Sequence, residues 1–529
     1  MAWMIWSKRR ALVASFLLAC VAIFSGKKIS DYSGPPNRQK LCDFAIPGDP
    51  TDNKPTTILV KPTDLPDLLG DQGGFINDAS CLNKTRVYGI IKIRTVEDVR
   101  TSLEFARANQ LKVSVAGQRH SMGGQAFSRD GLVLDMRNFN AITLDRSRKV
   151  VHVQSGATWA QIQQLIDKEG LSIQAMQSIN VFTIGGSLSV NAHGIAHLPG
   201  PVASTVQSMR IMLTNGEIKN ASPTENPELL RLALGGYGLF GVILDADIQL
   251  VDNEIYSLET HELDYRQFPT YYRTHVADDD SVGLMYGRVS ISPTSYLRET
   301  AIHIYRKTDL GGPIPPIQPS THDRLDRFVI NFSKTGAFGR WLRWTLEKYF
   351  GPKLHACMSR NQATVQKDAC LVSRNEEMND SMAYLRNRLQ DTDILQEYFV
   401  PRDRMPEFID GLRSIVQRDG SNLLNVTIRS VEKDTVTALP YAKQDMFAFV
   451  LYFNQKLNAE QSEILRKTTV DLVNLAIGLN GTYYLPYQLY YSSQQLRRAY
   501  PEIDAFFAAK KRYDPEGLLT SKFYEKYGT

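Results

Sequence analysis

Apolar residues recur along this chain at two spacings, and each predicts a different element. Val96, Val99, Leu103 and Phe105 follow Thr95-Val-Glu-Asp98 at helical intervals, with Thr95 as N-cap and an acidic residue at N3. Lys112 to Ala116 alternates as a strand, and after a glycine-rich loop Leu132 to Asp135 and Val150 to Gln154 read as two more. Thr158-Trp-Ala-Gln161 opens a second capped helix with Ile162, Leu165 and Ile166 on one face and Gly170 as its stop. Asn215-Gly216 between apolar runs predicts a hairpin, Pro227 to Leu234 a short helix and Val242 to Val251 a strong strand. Together these form an α+β unit over 80–252.

Beyond Asp252 the pattern lengthens. Leu284 to Ser292 and Phe447 to Phe453 read as long antiparallel strands, with basic helices between them around 322–350 and 458–477. This predicts a larger second domain over 253–490, followed by a tail over 491–529 of short helices and turns that rejoins the first. Residues 30–79, rich in Pro, Gly and Asp, read as a linker and lead-in.

The first 29 residues stand apart. Lys8, Arg9 and Arg10 precede an apolar run, Ala11 to Phe24, shorter than the roughly 20 residues of a comfortable membrane span. A cleaved signal peptide, a retained signal anchor and lipid attachment at Cys20 all fit that layout. The lack of a good small-x-small cleavage site favours membrane attachment. The basic cluster favours a body on the outer, extracytoplasmic side of the cytoplasmic membrane, although Lys27 and Lys28 weaken that inference.

With 529 residues, 43% hydrophobic and 22% charged, the chain is neither disordered nor fibrous. A net charge of +5 over that length leaves no electrostatic footprint for nucleic acid. Five cysteines without C-x-x-C spacing give no metal pattern. In an exported body Cys42, Cys81, Cys357 and Cys370 can form two bridges, with free buried thiols as the alternative.

Three glycine-rich loops carry candidate chemistry. Gly236-Tyr-Gly238-Leu-Phe-Gly241 spells G-x-G-x-x-G, but a helix precedes it and a strand follows, the inverse of a dinucleotide loop. Ala116-Gly-Gln-Arg-His120-Ser-Met-Gly-Gly124 follows a strand and offers backbone N–H groups as an anion nest. Ile184-Gly-Gly-Ser-Leu-Ser-Val-Asn-Ala-His193-Gly194 starts with two glycines and continues as a helix, aiming donors at a ligand.

In this order the three motifs, with Tyr513-Asp-Pro-Glu-Gly-Leu-Leu-Thr-Ser521 near the C-terminus, resemble the vanillyl-alcohol oxidase (PCMH-type) flavoproteins. The second half is most similar to their sugar oxidases, which are the aldonolactone and alditol oxidases and the decaprenylphosphoryl-ribose oxidases. The resemblance implies a two-domain PCMH-type FAD-binding fold whose larger antiparallel cap domain holds the substrate. It implies that Gly117, Gln118, Arg119, His120, Ser121 and Gly123 surround the FAD diphosphate. Gly185, Gly186, Ser187 and Asn191 would line the other side, with Val242 and Ile243 touching the flavin ring. His120 stands where many members bond the flavin covalently; a hydrogen bond to the diphosphate is the alternative.

For the reaction, the resemblance places Gln396 and Asn425 over the flavin's substrate face, and Gln396 and Tyr398 share one face of a strand. A lysine that such oxidases carry near Tyr487 is absent, since none occurs between Lys467 and Lys510. Tyr487 and His193 are therefore the proton-handling candidates, with Arg288 and Lys522 next. The expected function is oxidation of a CH–OH group on a sugar, polyol or lipid-linked sugar, with oxygen or a quinone as acceptor. Two alternatives are an NAD(P)H-dependent reductase of a C=C bond on the same fold and a membrane-anchored binding protein with a vestigial pocket.

Overall fold

The computed structural model describes residues 31–32, 68–69, 75–198, 200–309, 313–317, 323–355, 364–366, 369–378 and 391–529. The basic cluster at 8–10, the apolar run at 11–24, Cys20, Cys42 and Cys357 lie outside them. Among the described residues no helix is long and apolar enough to cross a membrane. Cys81 is disulfide-bonded.

The N-terminal half contains two larger sheets and a two-stranded one. In the first, Gly89–Lys92 and Val113–Ala116 flank Leu132–Asp135 in parallel, and Leu68–Leu69 closes one edge. Parallel pairing needs a crossover, and the helix Val96–Ala108 supplies it. Its N-cap is the predicted capping box: Asp98 N–H donates to Thr95 Oγ1 at 3.1 Å, and Thr95 N–H donates to the Asp98 carboxylate at 3.0 Å. The second sheet runs Ile218–Ala221, Val206–Met212, Val242–Asp252, Val150–Gln154 and Ile142–Asp145, with Leu171–Ile173 on the far end of its central strand. The predicted hairpin turns at Gly216, φ 83°.

The second domain is built on one nine-stranded antiparallel sheet. Its order is Thr364–Gln366, Ala369–Ser373, Ile255–Asp264, Glu299–Thr308, Val282–Val289, Asn422–Val431, Met446–Lys456, Asp391–Pro401 and Thr482–Tyr483. The helices Asp323–Ser333, Ala337–His355, Met405–Asp419 and Ala459–Gly478 lie at the predicted positions or between them.

The tail contacts the first domain. Val113 N–H donates to Leu518 O and Thr520 N–H to Val113 O, both at 2.8 Å, which extends the parallel sheet by one short bridge. The reason lies in Asp514 of the Tyr513–Ser521 motif. Its buried carboxylate accepts the N–H groups of Leu518 and Leu519 at 2.9 and 2.8 Å and pairs with buried Lys510. One side chain thus bends the turn that delivers the tail.

Ordered structure begins before the end of the linker that composition predicts over 30–79. Phe75–Ile76 pairs with Thr85–Arg86, and Ile76, Asp78 and Ser80 are buried. The segment 77–83 clamps the glycine loop. Ala79 N–H donates to Arg119 O at 3.0 Å, Asn83 Nδ2 to Met122 O at 2.9 Å, and Gly124 N–H to Asp78 Oδ2 at 3.0 Å. Few apolar positions are needed for such a clamp, so hydrophobic periodicity does not announce it.

Candidate flavin and substrate site

A cleft enclosing about 1210 Å³, counting its open mouth, runs between the two domains. One wall is the loop Ala116 to Ser121 and another is the short helix Ile184–Ser189 with its N-cap Thr183. The two approach so closely that a Cβ on Gly117 would stand 2.0 Å from Thr183 Oγ1, so only glycine fits there.

Arg119 and Tyr237, both lining the cleft, sit in the left-handed region at φ 54° and 53°. Such strain costs on the order of 1 kcal/mol or more per residue and clusters where ligands are held. It also turns successive N–H groups inward. The backbone N–H groups of Gly117, Gln118 and Ser121 make no hydrogen bond within the described residues. Ser155 Oγ is buried in the cleft wall without a partner among them. These donors fit an anionic diphosphate, and the apolar surface of Met136, Val190 and Ile243 fits a flat ring system. His120 lines the same wall, its ring 4.2 Å from that of Phe182.

The substrate-side floor comes from three elements. Glu397 lies mid-strand in Asp391–Pro401, Arg429 near the end of Asn422–Val431, and Tyr487 in the segment after Thr482–Tyr483. His193, from the loop after the short helix, meets them. Its Nε2 stands 2.8 Å from Glu397 Oε1, and both residues are buried. That contact is at ion-pair distance but lies off the ring's N–H axis, and neither atom makes a directional hydrogen bond to the other. The rings of Phe399, Tyr441 and Tyr484 surround the imidazole at 5.4, 5.6 and 6.1 Å. Arg429 donates from Nη2 to Ser178 Oγ at 2.8 Å and from Nη1 to His193 O at 3.4 Å, leaving a buried Nε without a partner among the described residues.

Burial alone pushes the Glu397 carboxyl up. The His193 charge and contact, the Arg429 guanidinium and a hydrogen bond from Tyr487 outweigh it, and the group is held below the ordinary carboxylate range. The cleft floor therefore carries a buried anion held by the His193 contact, the Tyr487 hydroxyl and the charge of Arg429.

The structure brings many of the expected residues together. Gly117, Gln118, Arg119, His120, Ser121, Gly185, Gly186, Ser187, Ile243, His193 and Tyr487 all line the cleft. Gly123 instead supports it, with its Cβ position 2.3 Å from Tyr487 O. Asn191 is tied to the second domain through Asp434 at 3.0 Å, and Val242 is core. Gly238 and Gly241 reach the cleft, yet their motif is the inverted one. The helix Pro227–Ala233 precedes it and the strand Val242–Asp252 follows, with Gly241 at φ 136° pressed against Met212 O.

Gln396 and Asn425 are not in the cleft. Gln396 donates to Thr469 Oγ1 at 2.7 Å and accepts from Tyr398, so both face the helix Ala459–Gly478. Alternation puts the intervening Glu397 on the flavin side. Asn425 bonds Thr427 at 3.0 Å, four residues along its strand from Arg429. Arg288 is paired with Glu347 at 3.0 Å, and Lys522 lies over Phe127, behind Gly124.

Residues 88–222 match the model of an FAD binding domain. A putative D-arabinono-1,4-lactone oxidase of Neurospora crassa is 30% identical over 30% of this chain and 29% of its own. L-gulonolactone oxidase of Bos taurus is 30% identical over 32% of this chain and 40% of its own. Cytokinin dehydrogenase 9 of Oryza sativa subsp. japonica is 22% identical over 88% and 93%. The chain thus spans less than half the length of the lactone oxidases it matches. The matched domain begins before the strand that leads into the diphosphate loop and ends beyond the short helix, so it contains both donor-bearing walls of the cleft. By those walls and relatives, residues 88–222 form an FAD binding domain similar to that of the aldonolactone oxidases, of the vanillyl-alcohol oxidase (PCMH) type, and the cofactor is FAD.

Proposed function

We propose that this protein is an FAD-dependent oxidoreductase that oxidises a CH–OH carbon of a sugar, polyol or lipid-linked sugar. The observation that carries this reading is the buried Glu397 on the floor of the cleft, in contact with His193 and Tyr487 and under the charge of Arg429, which together favour its ionised form. Bound FAD supplies a two-electron acceptor for the carbon's hydride. The protein's part is the proton and the alignment. A hydroxyl that loses hydride from its carbon must also lose its O–H proton, and Glu397 is the acceptor held in the charged form. Tyr487 and Arg429 orient the hydroxyl oxygen, and the aromatic box around His193 excludes water from the pair. The loop 117–121 and the residues 185–187 would hold the diphosphate, and His120 would bond the flavin covalently.

Oxygen or a quinone would serve as the final electron acceptor, and the N-terminal segment attaches the protein to the outer side of the cytoplasmic membrane. The experiment is product analysis after turnover with alditols, aldonolactones and prenyl-phosphate sugars. The expected product is two hydrogens lighter than its substrate and carries a new carbonyl. A second reading, a cytokinin as donor, is favoured by the one relative described above that matches most of its length. Turnover of a cytokinin and of none of the hydroxylated compounds would replace the first reading with it.

A further inference from the structure

Among the described residues only three large hydrophobic side chains are exposed, Leu198, Phe338 and Trp341. Two of them stand together. Phe338 and Trp341, 53% and 40% exposed, lie one turn apart at the start of the helix Ala337–His355, with ring centroids 5.6 Å apart. Leu342, on the same stripe, is half-buried against the cluster of Tyr32, Phe328 and Phe332. Phe332 in turn lies 6.3 Å from Phe338. Two adjacent aromatic rings facing water are a cost that a soluble surface avoids and an interface uses.

Tyr32 shows what the patch faces. It is 1% exposed, its ring is 5.9 Å from Phe328, and Asn331 Nδ2 donates to its carbonyl at 2.8 Å. The chain is thus fixed to this helical pair at Tyr32. The apolar run Ala11 to Phe24 ends seven positions before Asp31. Even fully extended, those positions reach only about 25 Å. An N-terminal segment held in a bilayer therefore keeps the pair Asp323–Ser333 and Ala337–His355 beside that bilayer. Adjacent exposed aromatic rings on a helix suit the headgroup boundary, where they are buried.

The pair also sits on the sheet face that carries Glu397. Lys334 bonds Asp393 at 2.7 Å, and Ile330 packs on the cluster that includes Leu395. Asp393, Leu395 and Glu397 alternate on one side of their strand.

We propose that Phe338 and Trp341 form a bilayer-docking face that seats the second domain in the lipid headgroup layer. It rests on the membrane attachment proposed above. The test uses the full chain in vesicles of phosphatidylethanolamine and phosphatidylglycerol that carry a diazirine on the acyl carbon nearest the glycerol. After photolysis, lipid adducts are mapped by mass spectrometry. Adducts on the peptide containing Phe338 and Trp341 are expected, in addition to any on residues 1–30. In the variant Phe338→Ser with Trp341→Ser they should fall at least about fivefold, while flotation with the vesicles and the flavin spectrum are retained. Adducts confined to residues 1–30 would overturn the docking face and leave the attachment standing. Failure of the full chain to float with the vesicles would overturn both. Crosslinks joining two copies through this stretch would assign the face to a dimer and overturn the proposal.

Discussion

Replacing Glu397 by glutamine removes one charge and changes almost no volume, so it isolates the role of the buried carboxylate. In the wild type that group is held ionised by His193, Arg429 and Tyr487 against the cost of burial. The amide accepts no proton at working pH and offers an NH₂ where Tyr487 and His193 need an acceptor. A positioned base contributes roughly 10²- to 10⁴-fold to a proton transfer. Anaerobic flavin reduction should therefore slow at least about 100-fold, or about 2.7 kcal/mol of transition-state stabilisation. Stopped-flow absorbance of the flavin reads this directly, with the oxidised spectrum unchanged as the control for cofactor binding. The pH profile adds a sign. Because the folded carboxyl lies below its ordinary 4.5, the ionised form persists from neutral pH down past that value and is lost only as pH falls through the lower, folded one. Wild-type reduction should show no loss from Glu397 above about pH 5. A reduction rate in Glu397→Gln within about threefold of wild type would refute the assignment.

Tyr487→Phe keeps the ring and deletes one hydrogen bond to Glu397, and should slow reduction at least roughly tenfold, about 1.4 kcal/mol; unchanged kinetics would remove the tyrosine from the proton path. His120→Ala should release into the supernatant the yellow colour that acid precipitation leaves in the wild-type pellet, and free FAD in the wild-type supernatant would contradict the covalent bond. Burial pushes the Asp78 carboxyl up to about 6 from 3.8, so the folded state favours its protonated form. The stability that this gives is full below the unfolded value and is lost as pH rises through about 6, a difference of about 3 kcal/mol. Thermal unfolding of Asp78→Asn should lack that step, and parallel pH curves for the two proteins would count against it.

Local signals were legible where one short stretch suffices. The box at Thr95 and Asp98, the turn at Gly216 and the two flavin loops each need only adjacent residues, and each stands where the pattern put it. Which face of Asp391–Pro401 lines the cleft was not legible. All but two of its residues are buried, so neither face of the strand reads as solvent-facing and alternation alone does not choose between them. The usable signal was Glu397 itself, a lone carboxylate between Ile394 and Val400 in a strand that otherwise reads as core. Arg429 carried the same kind of signal. Asp78 was hidden differently, because a clamp made of hydrogen bonds to backbone leaves no apolar period in a segment that composition marks as linker.

In the proposed reaction an alcohol, its hydroxyl deprotonated by Glu397, reduces the flavin of this cleft by hydride transfer from the hydroxyl-bearing carbon. The most direct test is anaerobic mixing of the purified full chain with an alditol or aldonolactone, protiated or deuterated at the reacting carbon, while the flavin absorbance is followed. Bleaching by the hydroxylated donor is expected, slowed by deuterium and nearly abolished in Glu397→Gln. Bleaching by NADPH or a cytokinin with none by any hydroxylated donor would contradict it.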